Sequence, residues 1–342
     1  MSMKVAINGF GRIGRLVFRQ LMENDDHGLD VVAINDIAPL DNLAYLLRHD
    51  SVQAKPNADI SANDGTIRWD DREVAFLSVK DPAELPWKDR GVDLVIESSG
   101  VFTKREDASK HLQAGADRVL ISAPAKGPDI TICMGINENR YDPDQHMILS
   151  NASCTTNCLA PVAKVLDEAF GIETGLLTTV HAVTASQAIV DAPHKKWRRG
   201  RSGMLNIVPT STGAAVATTE VLPHLKGKLD GMAMRVPVGT GSIIDFVIQT
   251  EQSIGSASNV NDALRRAAET EELRGILGVS DEELVSSDVI GSGYSSLVDA
   301  GMTMTLGDRA AKVLAWYDNE WGYARRVVDL ANYVAQKTPQ RV

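Results

Sequence analysis

The chain has 342 residues, of which 44% are hydrophobic and 23% charged, so a packed globular protein of two ordinary domains is expected. Its net charge of −10 argues against nucleic-acid binding as a primary role, and no apolar run is long enough to cross a membrane. Three cysteines (Cys133, Cys154 and Cys158) are too few for a disulfide framework, and no secretory signal is visible. We therefore predict a reducing, cytoplasmic location and no metal site.

Short apolar runs typical of buried strands alternate with helical patterns in residues 1–150. Strands are predicted at Val5–Ile7, Val31–Ile34, Leu94–Ile96 and Val119–Ile121. Helices are predicted at Ile13–Met22 and at Arg105–Ala114, which Gly115 closes. This alternation predicts an α/β domain with a doubly wound parallel sheet.

The pattern changes after Asn151. A helix is predicted from about Ser153 to Ala169, followed by strands at Gly175–Thr184, Gly231–Arg235, Ser242–Thr250 and Lys312–Tyr317. Residues 151–317 are therefore predicted to form an α+β catalytic domain with a mixed or antiparallel sheet. The segment 318–342, with helical spacing over Trp321–Gln336, is predicted to pack back on the first domain.

Three glycines near the start of the chain, Gly9, Gly11 and Gly14, have the spacing Gly-x-Gly-x-x-Gly. A strand pattern precedes them and a helix pattern follows, which is the context of a dinucleotide-binding turn. Glycines at these places allow a tight turn and close approach of the backbone to a pyrophosphate, at the N-terminus of a helix. The sequence therefore predicts a Rossmann-type nucleotide site.

Asp36 lies 22 residues after Gly14, at the end of the second strand pattern. A carboxylate there can accept a hydrogen bond from a ribose 2′-hydroxyl and would repel a 2′-phosphate, so NAD is favoured over NADP. The alternative is that Asp36 only caps a turn or a helix.

Cys154 stands at the start of a predicted helix, and His181 follows 27 residues later at the end of an apolar run. The helix dipole would lower the pKa of a thiol at this place, and a nearby imidazole would activate it as a nucleophile. Taken alone, a buried structural cysteine and an ordinary packed histidine remain alternatives.

A run of cations occupies residues 195–201 of this acidic chain. It is either a solvated loop or part of a site for a phosphorylated small substrate.

Five segments carry a resemblance to a known family. They are Ile7–Arg15, Ser150–Cys158, Thr178–Ala182, Pro209–Ala215 and Trp316–Glu320. In their order and spacing, and above all in the Ser-Cys-Thr-Thr-Asn-Cys motif at 153–158, the chain resembles the phosphorylating glyceraldehyde-3-phosphate dehydrogenase family over about its whole length.

The resemblance implies a homotetrameric enzyme that oxidises glyceraldehyde 3-phosphate with NAD and inorganic phosphate. Cys154 would attack the aldehyde, and its backbone N–H and His181 would stabilise the oxyanion. His181 would take the hydroxyl proton as hydride leaves. Phosphate would then release the acyl group from the resulting thioester.

The resemblance also assigns individual residues. Those implied to hold the substrate phosphate are Thr184, Arg198 and Arg235, and those implied to hold inorganic phosphate are Ser153, Thr155, Thr212 and Gly213, with Arg235 able to serve both. Asn8, Arg12 and Ile13 would contact the pyrophosphate, Ser99 and Phe102 would flank the adenine, and Ser122 would line the cofactor cleft. Asn319 would hold the nicotinamide carboxamide, with Tyr323 packed nearby.

Three segments depart from the commonest family sequences. Residues 236–242 replace the sequence that is more usual in the family after Arg235, so the conformation of this loop is expected to differ. Residues 50–62 lack the usual glycine, which indicates a different surface loop. By the resemblance, Ala192 replaces a bulkier residue of many NAD-specific members, at a position that faces the adenosine ribose of a neighbouring subunit. Secondary use of NADP is therefore an alternative, which Asp36 opposes.

Three alternatives to this function exist. Erythrose-4-phosphate dehydrogenase is a close relative in which water releases the acyl group, and a semialdehyde dehydrogenase shares the cysteine and histidine logic. A non-catalytic moonlighting binding protein is the alternative from another class. Thr184, Thr212 and Arg235 favour the phosphorylating enzyme over the first two, and intact Cys154 and His181 argue against the third.

Overall fold

A computed structural model describes residues 2–24 and 28–338 of the chain. These residues fold into two compact units. The first unit comprises the described residues of Met1–Ala152 and Ala324–Val342, and the second comprises Ser153–Tyr323. No helix of the described residues combines the length and the apolar character needed to cross a membrane.

The first unit contains a nine-stranded sheet. Its strands are β1 (Met3–Asn8), β2 (Leu29–Asn35), β3 (Ile60–Asn63), β4 (Thr66–Trp69), β5 (Arg72–Leu77), β6 (Leu94–Glu97), β7 (Arg118–Ile121), β8 (Ile130–Thr131) and β9 (Ile148–Ser150). Seven of them are parallel, in the order β5-β2-β1-β6-β7-β9-β8. The predicted Rossmann-type parallel sheet is thus confirmed, and the carboxyl ends of these strands lie at one edge, where such sheets bind ligands.

An antiparallel extension, which the sequence did not indicate, completes this sheet. β3 pairs antiparallel with β4, and β4 pairs antiparallel with β5. The turn between β3 and β4 uses Gly65 at φ +78°. Residues 50–62, expected to form a surface loop, therefore end inside strand β3. The three strands of this extension have only four to six residues each, which leaves little periodicity to detect.

Four helices of the first unit connect or follow these strands. They are α1 (Arg12–Met22), α2 (Leu40–Arg48), α3 (Trp87–Arg90) and α4 (Arg105–Gln113). α1 and α4 lie within one residue of their predicted bounds. Gly115 ends the second of them at φ +104°, and a Cβ there would press against the backbone of Lys88.

The second unit contains an eight-stranded mixed sheet. Its strands are β10 (Ile172–His181), β11 (Val208–Ser211), β12 (Leu229–Arg235), β13 (Ser242–Thr250), β14 (Leu277–Ser280), β15 (Ser296–Asp299), β16 (Met304–Leu306) and β17 (Ala310–Tyr317). β10 pairs parallel with β12 and antiparallel with β13, which confirms the predicted mixed sheet.

The helices that follow are α5 (Cys154–Phe170), α6 (Ala214–Val221), α7 (Ala257–Ala268) and α8 (Trp321–Lys337). α5 agrees with the helix predicted from the cysteine motif. The prediction of a strand through Thr184 was wrong, since β10 ends at His181. The chain leaves the strand there because the next N–H, that of Ala182, donates to the Ser242 hydroxyl at 3.1 Å instead of continuing the ladder.

Candidate active site

The glycine-rich turn joins β1 to α1 in the first unit. A Cβ on Gly9, at φ +93°, would overlap the backbone of Ser99, and a Cβ on Gly14 would overlap the carbonyl oxygen of Gly9. Gly11 has no atom near its Cβ direction. Two of the glycines therefore permit close packing, whereas Gly11 leaves open space at the N-terminus of α1, as a bound pyrophosphate requires.

A pocket of about 650 Å³ lies beside this turn. Five of the predicted cofactor-binding residues line it: Asn8, Gly9, Asp36, Ser99 and Phe102. The exposed side chains of Ile37 and Val101 give its walls an apolar surface that suits an aromatic base.

Asp36 is half-buried on the wall of this pocket. Its carboxylate accepts hydrogen bonds from the backbone N–H of Phe10 at 2.6 Å and of Ala38 at 2.9 Å. These bonds fix the carboxylate beside the glycine turn. The turn-capping alternative and the ribose-reading prediction are both compatible with this geometry, since each oxygen keeps a second lone pair.

Two other predicted cofactor residues of this unit have protein partners. Arg12 Nη1 lies 2.7 Å from Asp50 Oδ2. Although burial raises the pKa of the Asp50 carboxyl, hydrogen bonds from Gln53, Val52 and Arg12 lower it further, so the pKa is below its ordinary value. Ser122 donates its N–H and hydroxyl to the carbonyl oxygen of Glu97.

The cysteine of the second unit is the first residue of α5. Ser153 caps this helix, since its hydroxyl accepts from the N–H of Thr156 at 2.9 Å. Cys154 Sγ lies 3.5 Å from His181 Nε2, within hydrogen-bond distance for sulfur. The structure therefore brings together the two residues predicted to be catalytic.

The sheet explains why His181 stands beside Arg235. β10 and β12 are parallel neighbours, and His181 and Arg235 are register partners at the ends of the two strands. Arg235 Nη1 lies 2.6 Å from His181 Nδ1, and it donates to the carbonyl oxygen of Ala182 at 3.0 Å. His181 Nδ1 is also 2.8 Å from that carbonyl.

The electrostatics keep both reacting groups neutral before substrate binds. Burial, and next the charge of Arg235, lower the pKa of His181 to about 3. Burial raises the pKa of the Cys154 thiol, while Arg235 and hydrogen bonds from Thr155 oppose that rise. The proton therefore starts on sulfur, and the neutral imidazole can accept it at Nε2 when its own hydrogen is on Nδ1.

Tyr317 supports this pair, although the sequence did not single it out. Its hydroxyl lies 2.9 Å from Thr155 Oγ1 and 2.9 Å from Thr179 Oγ1. Its ring meets the ring of His181 edge-on, with 5.9 Å between centroids. Because burial raises its pKa well above the ordinary value, the hydroxyl stays neutral.

Asn319, predicted to hold the nicotinamide, has a fixed orientation. Ser242 Oγ accepts from the Ala182 N–H, so its own proton goes to Asn319 Oδ1 at 2.7 Å. Thr240 Oγ1 lies 3.3 Å from the same oxygen. Within the described part of the chain, Asn319 Nδ2 has no hydrogen-bond acceptor, so it can donate to a ligand. Segment 236–242, which differs from the usual family sequence, thus supplies two partners of Asn319, Thr240 and Ser242, that the sequence analysis did not identify.

Arg235 is a half-buried cation that has no counter-charge among the described residues. Among the described residues no carboxylate pairs with it, and its Nε is buried without a hydrogen-bond partner. Arg199 adds a second positive charge, because its guanidinium contributes to lowering the pKa of both His181 and Arg235. Its Nε donates to Thr210 Oγ1 at 3.0 Å. Such unpaired guanidinium groups are ready to bind an anion.

The remaining predicted phosphate ligands lie on loops of the second unit. Thr184 follows β10 and bonds Ser186 through its hydroxyl, and Thr212 accepts from the N–H of Ala214. Gly213 and Arg198 are exposed. Hydrogen bonds between the described residues join none of these four to Cys154. Arg199, next to Arg198, is the residue of the basic run whose charge acts on His181 and Arg235. The sequence could not show this, because it depends on the positions of the side chains.

Cys158 faces away from the reacting pair. Its sulfur lies 3.6 Å from Ser296 Oγ and 3.8 Å from the carbonyl oxygen of Ala315, and the residue is fully buried. Burial raises its pKa far above the ordinary value. Tyr323, predicted to pack near the nicotinamide, is also buried.

Comparison with known proteins identifies the class. Residues 3–105 match the NAD binding domain of glyceraldehyde 3-phosphate dehydrogenase, and residues 153–319 match its C-terminal domain. The chain is thus an NAD-dependent oxidoreductase, as the glycine turn and the Cys154 site led us to expect.

Full-length relatives define the family. The chain is 54% identical over 337 residues to glyceraldehyde-3-phosphate dehydrogenase of Geobacillus stearothermophilus, covering 98% of this chain and 99% of that one. It is 51% identical to the Streptomyces coelicolor enzyme (98% and 100% covered) and 52% identical to glyceraldehyde-3-phosphate dehydrogenase 1 of Bacillus subtilis (98% and 99% covered). The chain belongs to the glyceraldehyde-3-phosphate dehydrogenase family.

Proposed function

We propose that this protein is a phosphorylating glyceraldehyde-3-phosphate dehydrogenase, which converts glyceraldehyde 3-phosphate, inorganic phosphate and NAD to 1,3-bisphosphoglycerate and NADH. The observation that carries the proposal is the 3.5 Å contact between Cys154 Sγ and His181 Nε2 beside the unpaired guanidinium of Arg235. A nucleophile, a base and an anion site thus share one end of the sheet of the second unit.

The first step is attack of sulfur on the aldehyde carbon. His181 Nε2 takes the thiol proton as the C–S bond forms, and Arg235 stabilises the thiolate. The imidazolium and the Cys154 backbone N–H then stabilise the oxyanion of the thiohemiacetal. Helix α5 helps, since its N-terminus carries a positive partial charge.

The second step oxidises this adduct. His181 holds the hydroxyl proton as the carbon loses hydride, which leaves a thioester on Cys154. When bound, NAD accepts that hydride. In the first unit, the open space at Gly11 and the pocket beside Asp36 fit the phosphates and the adenosine of this dinucleotide. In the second unit, Asn319 Nδ2 can donate to a carboxamide, the role that the family resemblance implies.

The third step needs phosphate rather than water. Inorganic phosphate attacks the thioester carbon, the C–S bond breaks, and thiolate returns to Cys154. Arg235 and Arg199 supply positive charge for an incoming phosphate and for the substrate phosphate, and hydroxyls of Ser153, Thr155, Thr184 and Thr212 add donors. Arg198 and Gly213 complete the predicted phosphate ligands.

Exposed apolar side chains support self-association, for which the family resemblance implies a homotetramer. In the second unit Ile189, Val190, Trp197, Leu205 and Ile207 are all at least two-thirds exposed, Trp197 at 89%. Large apolar side chains concentrated in one segment usually mark a protein contact. The mass in solution, measured by light scattering, should be close to four times 36.9 kDa, and a monomer at micromolar concentration would contradict the assembly. The cytoplasmic location stays a prediction.

One assay tests the reaction. Purified protein is given glyceraldehyde 3-phosphate with NAD or NADP, with and without inorganic phosphate, and reduced cofactor is followed by absorbance. We expect turnover with NAD that depends on phosphate. Turnover without phosphate would favour the hydrolytic reaction of erythrose-4-phosphate dehydrogenase, for which erythrose 4-phosphate is the second substrate to assay. The absence of turnover with either substrate would favour a non-catalytic protein.

A further inference from the structure

A buried polar network crosses the carboxyl ends of four neighbouring strands in the first unit. It runs from Val79, just after β5, through Asn35 on β2 and Asn8 on β1 to Glu97 on β6. Asn35, Asn8 and Glu97 are each at most 4% exposed. None of the proposed reaction steps uses Glu97, although Glu97 lies at the carboxyl edge of the parallel sheet, where sheets of this kind bind their ligands.

The direction of every hydrogen bond in this network is fixed from its two ends. The backbone N–H of Val79 can only donate, and it points at Asn35 Oδ1 at 2.9 Å. Asn35 Nδ2 must therefore face Asn8 Oδ1, at 2.7 Å. Asn8 Nδ2 is then left to donate to Glu97 Oε2, at 2.6 Å.

The other end is fixed by a tryptophan. Trp87 Nε1–H can only donate, and it lies 3.0 Å from His111 Nδ1. The hydrogen of His111 must be on Nε2, which lies 3.0 Å from Glu97 Oε2. Ser99 donates its N–H to Glu97 Oε1 at 2.8 Å, and its hydroxyl bonds the same oxygen.

Both chains of hydrogen bonds, and the two from Ser99, end on Glu97. Its carboxylate accepts four hydrogen bonds, and in the described ranges no lysine or arginine pairs with it. Because Asn8 Nδ2, His111 Nε2 and the Ser99 N–H are donors of fixed direction and between them face both oxygens, only a carboxylate satisfies them all. A glutamine of the same shape would turn its amide hydrogens against donors whichever way it was oriented.

The network supports the walls of the pocket proposed for the cofactor. Asn8, Asn35, Val79 and Ser99 line that pocket, whereas Glu97 and His111 do not. Glu97 draws Ser99 towards the turn at Gly9, where the two backbones leave no room for a Cβ. The ring of His111 also meets the ring of Phe102, another lining residue, edge-on.

We propose that Glu97 is a positioning residue for the adenosine half of NAD. Without touching the ligand, it holds Asn8 and Ser99 where the pocket needs them, so that the free protein already has the shape that binds. The inference rests on the proposed cofactor site, and it adds a residue that sets affinity rather than chemistry.

The principal test is Glu97→Gln. Loss of charge-assisted hydrogen bonds predicts a KM for NAD raised by about tenfold or more, with kcat at saturating NAD within about twofold. The Kd of ADP-ribose, measured by calorimetry, should rise as much as that of NAD. The matched control is Glu173→Gln, an exposed glutamate of the second unit, which should change neither.

A pair of variants at His111, which does not itself line the pocket, tests the same idea. His111→Leu removes one donor to Glu97 and should raise the KM for NAD about fivefold. His111→Gln keeps an N–H where Nε2 stood and should restore most of the affinity. A merely structural role would lower thermal stability in both variants and leave the KM unchanged.

The outcomes separate this inference from the proposed function. Unchanged binding of NAD and ADP-ribose by folded Glu97→Gln would overturn it, as would equal effects of His111→Leu and His111→Gln. If Glu97→Gln does not fold, the His111 pair decides. Failure of the wild-type protein to bind NAD would instead refute the proposed cofactor site.

Discussion

Among the described residues two histidines are buried, one in each unit, and they differ in what surrounds their nitrogens. His111 has one donor at Nδ1 and one acceptor at Nε2, so its tautomer is fixed. His181 has Cys154 Sγ at Nε2, and at Nδ1 both a carbonyl oxygen and the guanidinium of Arg235. Nδ1 cannot donate to one and accept from the other at once, so either nitrogen can carry the proton. Burial alone therefore does not distinguish a supporting histidine from a proton-transfer group; the partners do.

The charged neighbours show the same contrast. Glu97, beside His111, has every lone-pair direction matched by a donor, which makes that region rigid. Arg235, beside His181, has a buried Nε without a hydrogen-bond partner, and no carboxylate of the described residues pairs with its guanidinium. A saturated network holds a shape, whereas an unsaturated cation retains binding capacity for a ligand.

The largest expected effect comes from replacing the nucleophile beside His181. Cys154→Ser should lower the rate of oxidation by roughly 10⁴-fold or more, because a neutral hydroxyl is a far weaker nucleophile than a thiolate. NAD binding should stay near normal. The matched control is Cys158→Ser, which should keep most activity because that sulfur contacts Ser296 and Ala315 instead of His181. Turnover lost in Cys158→Ser and kept in Cys154→Ser would show that the nucleophile is misassigned.

The next largest effect distinguishes the role of His181 from that of His111. His181→Asn should slow acylation by roughly 10²–10⁴-fold, because it removes the base that takes the proton. Reaction of Cys154 with iodoacetamide should slow as well. The measurements are the pre-steady-state burst of NADH and the alkylation rate. In His111→Gln the burst rate at saturating NAD should be normal, and a fall of less than tenfold in His181→Asn would remove its proposed role.

Arg235→Leu tests whether the unpaired cation binds phosphate. The variant should lose roughly 10–100-fold in kcat/KM for glyceraldehyde 3-phosphate and much less for plain glyceraldehyde, since charge-assisted bonds to phosphate disappear. Arg68→Leu, an exposed arginine of the first unit, is the control. Equal losses on both substrates would mean that Arg235 acts by holding His181 in place.

Asp36→Ala tests whether Asp36, in the pocket of the first unit, recognises the ribose of the cofactor. Removing the carboxylate deletes an acceptor for the 2′-hydroxyl and a charge that repels a 2′-phosphate, so the ratio of kcat/KM for NADP to that for NAD should rise roughly tenfold or more. Ala192, small and exposed, should not oppose the added phosphate. Asp41→Ala, in the first turn of α2, is the control. An unchanged ratio would favour the turn-capping alternative.

The elements that could be predicted from the sequence are those with long or specific patterns. The glycine turn, α1, α5 and β13 were predicted within a few residues, because a spacing or a run of apolar residues marks each. The β3–β4 hairpin was missed because four-residue strands carry almost no period.

Much of the site depends on pairing between distant strands. His181 and Arg235 meet only because β10 and β12 are parallel and in register, which no local pattern shows. The Glu97 network likewise joins four strand ends that are far apart in the chain. The phosphate and cofactor assignments came from family motifs, whereas Tyr317 and Ser242 required side-chain positions.

The smallest effect concerns acid stability. The pKa of His181 is lowered to about 3 in the folded protein, from an ordinary value of 6.5, first by burial and next by Arg235. The unfolded chain therefore takes up a proton below about pH 6.5 that the folded protein refuses until about pH 3. This contribution to the free energy of unfolding is complete above pH 6.5 and is lost progressively as the pH falls towards 3. His181→Asn cannot titrate, so its melting temperature should fall less steeply than that of the wild type between pH 6.5 and 4, by roughly 2–4 °C for each kcal/mol of difference. Calorimetric scans of both proteins at four pH values provide the comparison. Parallel curves would show that His181 is more accessible to protons than its burial implies, and the neutral imidazole that begins the proposed reaction would lose its support.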